Sequence, residues 1–176
     1  MQSTRTVLTK SGPKELAGNE LHPGDTAPDF SCLDRRLQPV TLASTPRKPR
    51  ILSVIPSIDT PVCDMQTKRF DREAAKDENI AIYSVSVDLP FALGRFADTY
   101  GIDHVEMLSD HRDLSFGMNW GVLIPELRLL CRAIFVVDAD NVVRYAEYVP
   151  ELNQRPDFEA ALAAARKLAG SAAAAG

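Results

Sequence analysis

Arg50 to Ile55 is an apolar run that stops at Pro56 and reads as a buried strand. Val62 to Lys76 reads as a helix with Pro61 near its first turn. Ile80 to Val87 is a second β-rich run, stopped by Leu89-Pro90, and Phe91 to Tyr100 reads as a helix that ends before Gly101. Arg132 to Asp138 and Val142 to Tyr148 read as two strands joined by the turn Asp138-Ala139-Asp140-Asn141, a hairpin signal. Asp157 to Leu168 is an alanine-rich closing helix. The first thirty residues are rich in turn signals, among them Ser11-Gly12-Pro13, Pro23-Gly24-Asp25 and Ala27-Pro28-Asp29. Short strands and a hairpin fit there better than helices, and Val40-Thr41-Leu42 adds another short strand.

Strand, helix, strand, helix, hairpin and helix follow one another in that order. A βαβ start makes the first two strands parallel with a right-handed crossover, and the hairpin adds antiparallel strands. The expected fold class is α/β, a central mixed sheet flanked by helices with an N-terminal β-hairpin, as in the thioredoxin fold. The chain has 176 residues, 45% of them hydrophobic and 25% charged, which fits one domain over 1–176. Neither an internal repeat nor a dividing linker is visible, and Ser171 to Gly176 is expected to be a frayed, disordered tail.

Charge and cysteine content narrow the function. A net charge of −4 argues against a nucleic-acid partner, which calls for a basic face. No segment reaches transmembrane length, and residues 1–13 lack the apolar core of a signal peptide. A cytoplasmic protein with no membrane partner is the expectation. Three cysteines, Cys32, Cys63 and Cys131, are too few and too scattered for a disulfide framework. His22, His104 and His111 show no metal-ligand spacing, and there is no glycine-rich nucleotide loop.

Chemistry concentrates in Pro56-Ser57-Ile58-Asp59-Thr60-Pro61-Val62-Cys63, where a buried strand hands over to a helix. With Thr60 as N-cap and Pro61 at N1, Cys63 falls at N3. With Asp59 as cap it sits one position deeper, still in the first turn. In either case the sulfur lies near free N–H groups and the positive end of the helix dipole, which favour the reactive thiolate. Asp59 and Asp64 oppose this, and Lys68 and Arg69 lie off its helical face. A thiolate here calls for a cation from elsewhere, and a buried structural cysteine fits the local pattern equally well.

Pro56-x-x-x-Thr60-x-x-Cys63 resembles the active-site signature of the peroxiredoxins, and Ile55-Pro56-Ser57-Ile58-Asp59-Thr60-x-Val62-Cys63 looks like their bacterial thiol peroxidase subfamily. Ala27-Pro28-Asp29-Phe30, Leu16-x-Gly18, Ser86-Val87-Asp88-Leu89-Pro90 and Arg132-Ala133-x-Phe135-Val136-Val137-Asp138 agree in order and spacing. The resemblance implies a thiol-dependent peroxidase that reduces hydrogen peroxide and organic hydroperoxides. Cys63 would be the peroxidatic cysteine, Thr60 would hydrogen-bond the reacting oxygens, Pro56 would shield the site, and Arg132 would supply the missing cation. It implies no metal or organic cofactor, thioredoxin or another thiol as reductant, and a homodimer with Phe and Trp side chains as contacts. Phe91, Leu93 and Leu123 are candidate surroundings for an alkyl hydroperoxide.

The chain departs from that pattern at one position. Thiol peroxidases usually carry a resolving cysteine just after the Arg-Phe that matches Arg95-Phe96, and here Ala97 stands there. Strand alternation turns Cys131 away from the face that Arg132 serves, so Cys131 reads as core. Cys32 is expected to be half-buried near a strand start and a poor resolver. A one-cysteine cycle follows, with an external thiol reducing the Cys63 sulfenic acid. Cys63-Asp64-Met65-Gln66 excludes a Cys-x-x-Cys oxidoreductase. A redox-sensing interaction protein oxidised at Cys63 without efficient turnover is the alternative. Trp120, with Phe116 and Met118, reads as ordinary packing under a loop.

Overall fold

A strand buried along its whole length organises the molecule in a computed structural model that describes residues 4–174. This strand, β5 (Arg50–Val54), pairs in parallel with β6 (Ala81–Ser86) and antiparallel with β10 (Ala133–Val137). Flanking it on one side, β10 pairs antiparallel with β11 (Val143–Tyr148). On the other, β6 pairs in parallel with β7 (Glu106–Ser109), which meets β3 (Ser31–Leu33), itself paired with β4 (Pro39–Thr41). The result is a mixed seven-stranded sheet of order β11-β10-β5-β6-β7-β3-β4. A separate hairpin of β1 (Thr6–Thr9) and β2 (Gly12–Glu15) precedes it, as the turn signals predict.

Helix α1 (Pro61–Ala74) connects β5 to β6, and α2 (Pro90–Tyr100) connects β6 to β7. Both start with proline at the first turn, and α2 stops where Gly101 takes a left-handed conformation. A short α3 (Ser115–Asn119), a two-residue hairpin of β8 (Leu123–Ile124) and β9 (Leu129–Leu130), and the closing α4 (Phe158–Ala174) complete the chain. Strands β7, β8 and β9 and helix α3, two to five residues long, escape the sequence reading, whereas β3 lies where a strand start was expected near Cys32. Periodicity needs a longer window than that. The end of the chain also differs from expectation, since α4 continues through Ser171 as far as Ala174; residues 175–176 lie outside the described residues.

Two apolar layers sandwich the sheet, and alternation along β5 and β10 decides which residue joins which. Ile51, Ile55, Ile134 and Val136 face the layer under α1, α2 and α4, which includes Phe70, Leu93 and Phe158. Leu52, Val54, Ala133 and Phe135 face the opposite layer, which includes Phe30, Phe116 and Trp120. Trp120 is core as expected, stacked on Phe116 at 4.9 Å and donating from Nε1 to the Pro28 carbonyl. Met118 is exposed.

Two glycines strap the N-terminal segment to the turn after α3. Gly18 (φ +86°) and Gly121 (φ +66°) lie so close to facing backbone that a Cβ would sit 2.1 Å from the Met118 carbonyl oxygen and 2.2 Å from that of Asn19, respectively. Gly18→Ala is expected to lower stability by at least about 1–3 kcal/mol from the strained backbone alone, read from urea unfolding. An unchanged midpoint would mean the strap is not structural.

Candidate active site

Helix α1 buries a stripe of Cys63, Gln66, Thr67, Phe70 and Asp71, the i, i+3, i+4, i+7, i+8 spacing of one helical face. Cys63 is the first member of that stripe, and its relative exposure is 0%. Thr60 is the N-cap residue by backbone geometry, yet its side chain makes no capping bond. Its hydroxyl lies instead 2.7 Å from the Cys63 sulfur, as donor, and 3.3 Å from the Ser57 carbonyl. The threonine therefore sits where a cap is expected but is turned toward the cysteine.

The cation that the sequence calls for comes from the end of β10. Arg132 Nη2 lies 3.4 Å from Cys63 Sγ, although the two residues are far apart in the chain. Its other bonds go to neutral oxygens: Nη1 to Gln66 Oε1 at 2.8 Å, and Nε and Nη2 to the Leu152 carbonyl at 3.1 and 2.8 Å. Arg132 is only 1% exposed, and among the described residues it forms no salt bridge. Burying a charge without a counter-charge is costly. The geometry thus holds a positive charge against a sulfur that can carry the matching negative one.

The opposing acids are handled locally. Asp64 pairs with Lys68 at 2.7 Å, and the Lys68 ammonium also lies 3.6 Å from the Tyr100 ring centroid. Asp59 is exposed. Pro56 is buried at the end of β5, next to the turn that carries Thr60. Beside Thr60 and Pro61 a groove of about 500 Å³ opens between the start of α1 and α2, also lined by Ile58, Ala92, Phe96 and Tyr100. This replaces the expected apolar surroundings: Leu93 is buried in the core, Leu123 belongs to the layer across the sheet, and Phe91 points into solvent at 70% exposure.

Three participants were not found from the sequence. Gln66 follows Cys63 by one helical turn and bridges Arg132 to Ser53 on β5. Leu152 contributes only a backbone oxygen, which no side-chain pattern reveals. Asp88 fixes the loop that carries the motif: Oδ1 accepts from the Ser57 hydroxyl at 2.8 Å, and Oδ2 accepts from the Ile58 N–H at 2.7 Å and the Ser86 hydroxyl at 2.8 Å. Asp88 was within reach of the sequence reading, because it lies in the matching string Ser86-Val87-Asp88.

The remaining thiols lie elsewhere. Cys131 and Cys32 belong to the apolar layer opposite the one that holds Cys63, so the sheet stands between them and the site. Burial pushes the Cys131 thiol up to about 12. Cys32 is fully buried rather than half-buried. Its Sγ donates to Asp110 Oδ1 at 3.7 Å, and burial, with the neighbouring Asp110 charge, raises its thiol far above the ordinary range. Ala97 is buried on the Cys63 side of the sheet.

Residues 22–162 match the Redoxin family. A thiol peroxidase of Staphylococcus aureus (strain MRSA252) is 54% identical over 162 residues, covering 92% of this chain and 98% of that protein. A thiol peroxidase of Bacillus subtilis (strain 168) is 52% identical over 162 residues, covering 92% and 97%. Among solved structures, a peroxiredoxin-like protein from Aquifex aeolicus superposes with a TM-score of 0.87 at 35% identity, covering 93% of this chain and 97% of that one. The buried cysteine, its threonine and its arginine thus stand in a chain that belongs to the redoxin family and, within it, to the thiol peroxidases.

Proposed function

We propose that this chain reduces hydrogen peroxide and organic hydroperoxides to water or alcohol, with Cys63 as the nucleophile. The observation that supports this most is the uncompensated guanidinium of Arg132 on the Cys63 sulfur, together with the Thr60 hydroxyl. The Cys63 thiolate attacks the terminal peroxide oxygen in line with the O–O bond. The S–O bond forms, the O–O bond breaks, and the departing oxygen takes up one proton from the groove side. Negative charge passes from sulfur to the leaving oxygen. Arg132, with several donors in one plane, stays bonded to that charge as it moves. Thr60 orients the reacting oxygens, and buried Pro56 keeps water from the sulfur. The product on the enzyme is the Cys63 sulfenic acid.

An external thiol, thioredoxin or another, closes the cycle. The first thiol condenses with the sulfenic acid to a mixed disulfide and water, and a second releases Cys63 as a thiolate. Two observations support this over an internal disulfide. Ala97 carries no thiol, and Cys32 and Cys131 lie across the sheet from Cys63. A disulfide requires Cα atoms within about 7 Å of one another and facing side chains. The protein is read as a cytoplasmic homodimer made of one domain. Leu89, Phe91 and Tyr100 are exposed apolar side chains of α2 and its cap, suited to a contact between copies, whereas Trp120 is sealed in the core. Among the described residues no helix is long and apolar enough to cross a membrane.

Cys63→Ser is expected to abolish peroxide reduction. Thr60→Val and Arg132→Met should each lower the rate constant for peroxide by about 10²–10³, measured by stopped flow on the reduced protein. Cys32→Ala and Cys131→Ala should keep the wild-type rate constant. An Arg132→Met protein as fast as wild type would remove the arginine from the mechanism. Oxidised protein mixed with a thioredoxin lacking its second active-site cysteine should yield a mixed disulfide at Cys63. A stable Cys32–Cys63 disulfide in its place would overturn external reduction.

A further inference from the structure

We propose that a hollow at the start of β5 binds a small oxyanion of the phosphate type through Arg50, Arg47 and Asn141. It lies at the opposite end of β5 from the Cys63 loop and does not depend on the peroxidase reading. Arg50 is the first residue of β5, opposite Val137 of β10, and is only 1% exposed. Every acceptor it has is neutral. Nη1 donates to Thr45 Oγ1 at 2.8 Å, and Nη2 donates to Asn141 Oδ1 at 2.7 Å and to the Asp138 carbonyl. Among the described residues Arg50 forms no salt bridge. Its Nε is buried with no partner among those residues, a costly state for a charged donor.

The hollow measures about 220 Å³ and is lined by Leu42, Ala43, Thr45, Arg47, Arg50 and Asn141. Its free polar groups are donors. The Thr45 hydroxyl is already committed, donating to the Leu42 carbonyl at 2.6 Å and accepting from Arg50. A guanidinium only donates, so Asn141 turns Oδ1 to Arg50, and its NH₂ is left without an acceptor among the described residues. Arg47 brings a second guanidinium to the same rim, and among the described residues no carboxylate lines the space.

The charged groups nearby are engaged elsewhere. Asp138 Oδ1 accepts from the N–H groups of Asp140 and Val142 at 2.9 Å, and Oδ2 accepts from Arg144 Nε at 2.7 Å. Asp140 is exposed and meets Arg47 at 3.6 Å, and Lys48 donates to the Glu78 carbonyl. Burial lowers the pKa of Arg50 from its ordinary value, with Tyr83 and Asp138 opposing and the Arg47 charge adding to it. Two guanidinium groups thus converge on a small space that offers donors, an arrangement that a bound anion relieves. Drug-sized ligands take about 300–1,000 Å³, so the space suits a single oxyanion group. Free phosphate and the phosphate of a small monoester share that chemistry. A purely structural arginine would tie β5 to the β10–β11 turn through its Nη atoms alone and show no preference for an anion.

The test titrates the protein with inorganic phosphate and, separately, with glycerol phosphate, at constant ionic strength set by sodium chloride. Calorimetry reads the affinity, and amide NMR reads the place. Phosphate is expected to bind at one site with a Kd of about 1 mM and to shift amides within 42–50 and 138–143. Tighter binding of glycerol phosphate would assign the hollow to a phosphomonoester, and weaker binding to the free ion. Arg47→Ala should weaken binding by about 2- to 5-fold. Asn141→Asp keeps an oxygen on Arg50 and suits the left-handed backbone there (φ +61°), but puts a negative oxygen where the NH₂ stood. That variant should lose phosphate binding altogether. Arg50→Met should lose it too, with thermal unfolding as a control for folding, and Asn141→Asp decides alone if Arg50→Met does not fold. Wild-type affinity in Asn141→Asp overturns the proposal. So does a wild-type protein that gives no binding heat above the chloride control, or shifts scattered over the surface.

Discussion

A positive charge is buried here with no carboxylate among the described residues to meet it, and the rest of the site is arranged around that fact. Arg132 is held on neutral oxygens from Leu152 and Gln66, which satisfy its hydrogens without cancelling its charge. Among the described residues, the only other atom it touches in this way is the Cys63 sulfur. Desolvation makes such a charge costly in a resting protein, and the same desolvation strengthens its hold on an anion beside it. In the function proposed above, a thiolate at Cys63 is the anion that meets this charge.

The fold delivers this by strand alternation and helix periodicity acting together. β10 puts Arg132 on the face shared by Ile134 and Val136, and β5 puts Ser53 on that same face between Ile51 and Ile55. Helix α1 lies across that face and presents Cys63 and Gln66 one turn apart on its buried stripe. Asp88, leaving β6, ties down the turn in between through Ser57 and Ile58. The stretch from β5 through α1, the end of β6 and the start of β10 thus meet at one place on the sheet.

Much of this was legible in the chain itself. The apolar run at Arg50–Ile55, the proline at the start of α1 and the Asp138–Asn141 turn located β5, α1 and the β10–β11 hairpin to within a residue or two. Pro56, Thr60, Cys63 and Arg132 were recognisable as a set through resemblance, while local physics left a buried structural cysteine equally good. What favours the nucleophile is a tertiary contact between α1 and the end of β10, and no local pattern encodes that. Gln66 was passed over for a related reason: a glutamine three residues after a cysteine looks like any surface amide until its burial is known. Strand β7 is too short to carry a period, and its pairing with β6 and β3 places it in the sheet.

The sheet also separates the thiols. Cys63 lies in one apolar layer and Cys32 and Cys131 in the other, so oxidation of Cys63 leaves it with no thiol partner in its own layer. The most direct measurement is the intact mass of reduced protein after one equivalent of hydroperoxide, without added reductant, beside a Cys63→Ser control. A gain of one oxygen that the control lacks is the expected result, a sulfenic acid awaiting an external thiol. Loss of two hydrogens would mean an internal disulfide formed through or around the sheet, and no Cys63-dependent change would contradict the nucleophile itself.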